Sequence, residues 1–128
     1  MGFTNLNPNY LESLNLHLSI SNFIDVDHPD YDRFRNRFFQ AYHVVPDINA
    51  YMGYDFMAWL ATTVSKEGMF GLIQQNGPAK DGMASGFSIK PVMDEHQPMG
   101  SEMKTPLYYE NRRIRILRYQ EQDYQLTW

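Results

Sequence analysis

The sequence predicts an α/β chain in the order strand, helix, helix, strands, and three stretches carry that expectation. In "LNLHLSI" the residues Leu14, Leu16, Leu18 and Ile20 share one face, and Asn15, His17, Ser19 and Ser21 share the other. That alternation is the period of a strand. In "DHPDYDRFRNRFFQAYHVV" the rings of Phe34, Phe38 and Tyr42 recur at i, i+4 and i+8, the stripe of an amphipathic helix. "NRRIRILRYQEQDYQLTW" reads as two strands, Arg113–Tyr119 and Tyr124–Trp128, joined by a polar turn into a C-terminal β-hairpin.

The first strand is expected to run on through "SNFIDV" and to break at "DHPD". Asp27 or His28 is placed to cap the first helix, with Pro29 tolerated in its first turn. Asp30 and Asp32 suit the positive end of the helix dipole, and Arg33, Arg37 and Gln40 lie off the aromatic stripe. The helix should therefore be buried on one side, and Pro46 closes the segment.

The second helix is expected to start near Asp47 or Asn49 and to end at Lys66–Glu67–Gly68, with Gly68 just beyond its last turn. Its first half, "NAYMGYDFMAWLATT", holds one charged residue, Asp55. On a helical wheel Asp55, Thr62 and Lys66 form the only polar strip. A helix apolar nearly all round is a buried helix, which is unusual in a chain with two long helices. After "GPAKDG" a short strand "GFSIKPV" is expected, and then a polar loop, "MDEHQPMGSEMKTP".

The 128 residues are expected to form a single domain, 1–128, or a piece of a larger one. A hydrophobic content of 43% and an aromatic content of 15% argue against disorder. The net charge of −4 gives no general attraction to nucleic acid or anionic lipid. There is no cysteine, so disulfides, thiol nucleophiles and cysteine zinc sites are excluded. "MGFTNLNPNYLESLN" has neither the basic nor the apolar region of a signal peptide. No apolar run reaches membrane-spanning length, so a chain that does not span a membrane is expected.

Motif chemistry is sparse. "DVDHPDYD" fails as a calcium loop because Pro29, Asp30 and Asn36 stand where an oxygen ligand, a glycine and a glutamate are needed. His17, His28, His43 and His96 show no zinc-helix spacing. No nucleophile elbow, phosphate loop or dinucleotide fingerprint is present. In "NRRIRILRY", Arg113 and Arg115 point one way and Arg112 and Arg118 the other. That split makes a poor nucleic-acid stripe and suits solvated charges on an edge strand. No enzyme activity, metal or cofactor is expected.

One pattern resembles a known family. Phe34, Phe38, Tyr42 and Pro46, then Ala50, Gly53, Tyr54 and Asp55, match the phrase that opens a long apolar helix in type 1 periplasmic solute-binding proteins. This superfamily contains the branched-chain amino-acid-binding proteins and receptor ligand-binding regions. "GMASGFSIKPV" resembles its glycine–strand segment, and "YYENRRIRILRYQEQDYQL" its closing strands with an Asn before them. The match runs over roughly Asn7 to Leu126 and is similar to the branch found in Gram-negative bacteria of the Bacteroides kind.

The resemblance implies a partial type 1 periplasmic-binding-protein fold, about the last third of a protein with two α/β lobes and a ligand between them. It implies a non-enzymatic extracytoplasmic solute-binding protein for an amino-acid-type ligand, located in the periplasm or cell envelope. It places ligand contacts after the first strand, at Asn22 and Phe23, and at the start of the apolar helix, at Asn49 and Tyr51. The alternative is a small interaction or assembly module that keeps the fold pieces without a working cleft. Either way the apolar helix lacks cover, so a homo-oligomer is expected, with Met52, Phe56, Trp59 and Leu60 at or beside the interface.

Overall fold

A computed structural model of the chain describes residues 7–71, 80–93, 106–121 and 123–127. It is a mixed helix-and-sheet structure that includes a C-terminal β-hairpin. The described elements are α1 (Pro8–Ser13), β1 (His17–Ile20), α2 (Tyr31–Tyr42), α3 (Ile48–Gly71), β2 (Lys80–Asp81), β3 (Gly86–Phe87), β4 (Ile89–Met93), β5 (Pro106–Asn111), β6 (Arg115–Gln120) and β7 (Asp123–Leu126). The first half of "GPAKDG" and most of "MDEHQPMGSEMKTP" fall outside the described residues, as do His96 and Trp128.

The first strand is shorter than its alternation suggests. Asn7 accepts the Asn9 N–H at 3.0 Å and starts α1, a helix that sequence periodicity does not reveal. Leu14 therefore ends a helix and is exposed, and Asn15, at φ 49°, turns the chain into β1. Only four residues pair with β6, from His17↔Arg118 to Ile20↔Arg115, antiparallel. Beyond Ile20 the backbone leaves the ladder. Phe23 N–H bonds Ala84 O at 3.0 Å, and Asp25 N–H bonds Met83 O at 2.8 Å.

Helix α2 begins at Tyr31, later than the expected cap, and Pro29 lies in the turn before it. Asp30 stands at the N-cap position, but its carboxylate goes to Arg33 at 2.6 Å and not to the helix backbone. The aromatic stripe forms. Phe34 meets Phe38 at 5.7 Å, and Phe38 meets Tyr42 at 4.7 Å between ring centroids. The expected burial is only partial, because α2 has no fully buried residue and Tyr42 stands in solvent.

Helix α3 is capped by Asp47, whose Oδ1 accepts the Ala50 N–H at 3.0 Å. That bond and Asn49 hold the Asp47 carboxyl below its ordinary value. The helix is interrupted at Gly68, which has φ 70° and ψ −177°, a conformation glycine adopts without a Cβ clash. Against its first turns packs a small core of Tyr51, Met83 and Ala84, ringed by Ile24, Tyr31, Phe34, Ile48, Met52 and Tyr54.

The sheet order is β1-β6-β7, with β2-β3 and β4-β5 as separate antiparallel pairs. "GFSIKPV" is split into β3 and β4 at Ser88, whose N–H is taken by Asn111 Oδ1 at 2.9 Å. A further strand, β5, forms over "PLYYEN", ahead of the two closing strands that the sequence predicts. The hairpin β6–β7 pairs Leu117↔Leu126 and Tyr119↔Tyr124, with the two tyrosine rings 5.0 Å apart. Along β6, Arg115, Leu117 and Tyr119 are buried and Arg118 is exposed, the period of a strand with one covered face.

Candidate functional site

The best-held point of the molecule is the turn Gly82–Ser85, between β2 and β3. Asp55, only 4% exposed, reaches this turn from α3. Its Oδ1 accepts the Met83 N–H at 2.9 Å, and its Oδ2 accepts those of Ala84 at 2.7 Å and Ser85 at 2.9 Å. A carboxylate with three backbone donors is well satisfied in a buried place. The helical wheel assigns Asp55 to a polar strip, whereas in the structure its charge is turned inward and consumed.

Arg115 holds the same turn from the other side and is 0% exposed. One terminal nitrogen donates to Phe23 O at 2.7 Å and Met83 O at 3.4 Å. The other donates to Gly82 O and to Ser85 O, the latter at 3.0 Å. Its Nε is buried without a partner. Burial pulls the guanidinium below its ordinary value, while Asp81, Asp55 and Asp25 act in the opposite sense. The expectation of a solvated edge-strand arginine is therefore corrected. β6 is the middle strand of its sheet, and the Gly82–Ser85 turn and Phe23 cover the guanidinium where β6 begins.

Close approach makes two glycines necessary. A Cβ on Gly82 would lie 2.4 Å from Asp55 Cγ, and one on Gly86 would lie 2.5 Å from Arg113 Cγ. Arg113 forms a two-pronged pair with Asp81, at 2.8 Å from Nε and 2.6 Å from Nη2. Arg113 holds the Asp81 carboxyl below its ordinary value, and Asp81 raises the guanidinium in return. Asn111 completes the frame. Its Nδ2 donates to Gly86 O at 2.7 Å, and its Oδ1 accepts from Arg113 N at 3.1 Å.

The ligand candidates divide. Asn22 and Phe23 sit half-buried at the clamped turn, where Ser85 Oγ donates to Asn22 Oδ1 at 3.4 Å. Asn49 is exposed at the start of α3 and bonds Asp47 Oδ2 at 3.3 Å. Tyr51 is 2% exposed, stacked on Tyr31 at 5.5 Å and tilted against Phe34 at 5.1 Å. Its ring is a core element and offers no open wall. Burial, helped by a hydrogen bond with Tyr31, pushes its phenol up to about 12.

The interface candidates divide as well. Met52 packs on the core, and Leu60 is half-buried. Trp59 is half-buried too, stacked on Phe87 with centroids 5.1 Å apart and planes 19° apart. Phe56 is 47% exposed, and its neighbour Met57, which no sequence signal singles out, is 59% exposed.

Beside the clamp, a cavity of about 220 Å³ opens between α3, the turn before α2 and the β2–β3 hairpin. Among the described residues no three histidine or acidic side chains gather as a metal site requires. Among them, too, no helix is long and apolar enough to cross a membrane. No family model matches the chain, no curated protein matches it, and no solved structure matches it.

Proposed function

We propose that this chain is the C-terminal part of a non-enzymatic, extracytoplasmic solute-binding protein of the type 1 periplasmic kind, for an amino-acid-type ligand. One observation carries the reading. Asp55 of the matched phrase, the matched glycine–strand segment and the Asn before the closing strands meet at one turn, far apart as they are in the sequence. Asp55 takes the N–H groups of "MAS", and Asn111 holds Gly86 and Ser88 beside it. The same turn binds Phe23, in the segment after β1. A rigid support of this kind is what positions residues lining a cleft. Asp55 and Arg115 are spent on backbone, which suits a scaffold and not a catalyst.

In this reading Asn22, Phe23 and Asn49 contact ligand, and Tyr51 supports them from the core. A two-lobe cleft needs walls that this chain does not supply alone. Calorimetry against amino acids and small peptides is the test, run on this chain and on the full product of its gene. Saturable binding by the full product, with none at micromolar concentration by the chain alone, supports the proposal. Micromolar, stoichiometric binding by the chain alone overturns the fragment reading, and a full product that binds none of the panel overturns the function.

A second reading, an interaction or assembly module, is favoured by the outward apolar residues of the helices. Phe39, Tyr42, Phe56 and Met57 are all exposed. A homo-oligomer covers such a face most simply, since closed two-fold pairs are the commonest assembly.

A further inference from the structure

We propose that the cavity beside the clamp binds a small monocarboxylate with an apolar or aromatic body. Its volume of about 220 Å³ lies below the roughly 300–1,000 Å³ of drug-sized sites, so the occupant is a small molecule. His28, Asp30, Trp59, Lys80, Asp81 and Phe87 are among its lining residues.

The three carboxylates in this lining already take donors of the chain. Both oxygens of Asp55 take backbone N–H groups. Both oxygens of Asp81 take Arg113. Asp30 Oδ1 takes Arg33. Each of these carboxylates thus already takes at least one donor of the chain itself, and Asp55 and Asp81 have both oxygens taken.

The donors are in the opposite state. The side chain of Lys80, an exposed residue, makes no ion pair or hydrogen bond with a described residue. An ammonium has three N–H donors and no acceptor. The Nδ1 of His28 accepts the Asp30 N–H at 3.1 Å, which leaves Nε2 as the donor of the neutral ring. The unmet demand of the site is for an acceptor carrying negative charge.

The apolar part of the lining is the Trp59–Phe87 stack, with ring centroids 5.1 Å apart. It presents a flat surface for a ring or short chain. A cation attracted to the indole face meets Lys80 in the same cavity, which repels it. A carboxylate at Lys80 and His28, with its body on Trp59, meets neither obstacle. The site lies within this chain and does not depend on the two-lobe reading. Free amino acids fit it less well than a simple carboxylate, because their ammonium group meets Lys80 and carboxylates that already take donors of the chain.

The test uses the whole chain and a pair of probes of the same size and opposite charge, benzoate and benzylamine. Nitrogen–proton NMR spectra follow the Trp59 indole N–H and the Lys80 backbone amide. The expected result is saturable shifts at both signals with benzoate, with a Kd on the order of 1 mM, and binding of benzylamine at least about tenfold weaker. Lys80 is exposed, so Lys80→Met is expected to leave the rest of the spectrum unchanged and to weaken benzoate about tenfold. Equal binding of the two probes overturns the proposal. So does the absence of saturation below about 50 mM benzoate, or benzoate binding that Lys80→Met leaves untouched.

Discussion

Asp55 and Arg115 grip opposite sides of one turn without pairing with each other. The carboxylate takes the N–H groups of Met83, Ala84 and Ser85, and the guanidinium takes the carbonyls of Gly82, Met83 and Ser85. The backbone between them is the bridge. Because Arg115 also holds Phe23 O, helix α3, the segment that follows β1 and the central strand β6 meet in this one place.

Substitution at the clamp should therefore be felt globally. Asp55→Asn keeps the shape, but it removes the charge and sets an NH₂ group against backbone donors. A loss of about 3 kcal/mol is expected, since hydrogen bonds to a charged group contribute about 1.5–3 kcal/mol each. Arg115→Lys replaces a fork by a single point and should lose about 2 kcal/mol for the carbonyls left unpaired. Urea unfolding measures both, and a loss under about 1 kcal/mol for Asp55→Asn would show that the turn is held by something else.

Two glycines should respond with opposite signs. In Gly82→Ala the new Cβ would lie 2.4 Å from Asp55 Cγ, and that carboxylate is pinned. A cost of about 1–3 kcal/mol is expected from overpacking. Gly53 lies inside α3, and a Cβ added there would meet nothing within 4 Å. Gly53→Ala should stabilise by about 0.5–1 kcal/mol through helix propensity. Thermal unfolding of the two variants side by side checks the pair. Destabilisation by Gly53→Ala would mean that this face is covered in solution.

Tyr51 should make the fold sensitive to alkali. Its folded-state value is raised from 10.0 to about 12, so the neutral phenol is the form the core favours. That contribution is fully present below the unfolded value and is lost as pH rises through the interval between the two. Stability should fall between about pH 10 and pH 12. Tyr51→Phe keeps the ring stack and should flatten that fall. Ultraviolet titration should also lose one late-titrating phenol, and an unchanged alkaline profile in Tyr51→Phe would refute the assignment.

The exposed rings of α2 and α3 predict self-association. Each large apolar side chain left in water forgoes about 1.5–3 kcal/mol of burial. Light scattering at micromolar concentration should show a dimer or larger species. Phe56→Asp and Met57→Asp should each shift it toward monomer, with helix content unchanged by circular dichroism. A wild-type monomer across that range would show that one copy tolerates this surface.

What the sequence determined by itself is local. The helix carrying Phe34, Phe38 and Tyr42, the start of α3 near Asp47 and the closing hairpin were legible, and the end expected at Gly68 is a break in a helix that runs on to Gly71. Periodicity, caps and turn residues act over a few neighbours. Local signals also misled, because the alternation through Leu14 ignored the Asn7 cap and α1, and "PLYYEN" shows no partner until β4 lies beside it. The lone charge of Asp55 in an apolar helix, with the bare backbone of "GMASG" downstream, was a signal that a buried partner existed. Which partner it was, only the tertiary structure decided. The N–H groups that Asp55 takes lie 28 to 30 residues away, and Arg115 looks like any strand arginine until the fold lays the Gly82–Ser85 turn over it. A buried charge is satisfied by whichever backbone the fold brings to it, and side-chain identity alone does not encode that choice.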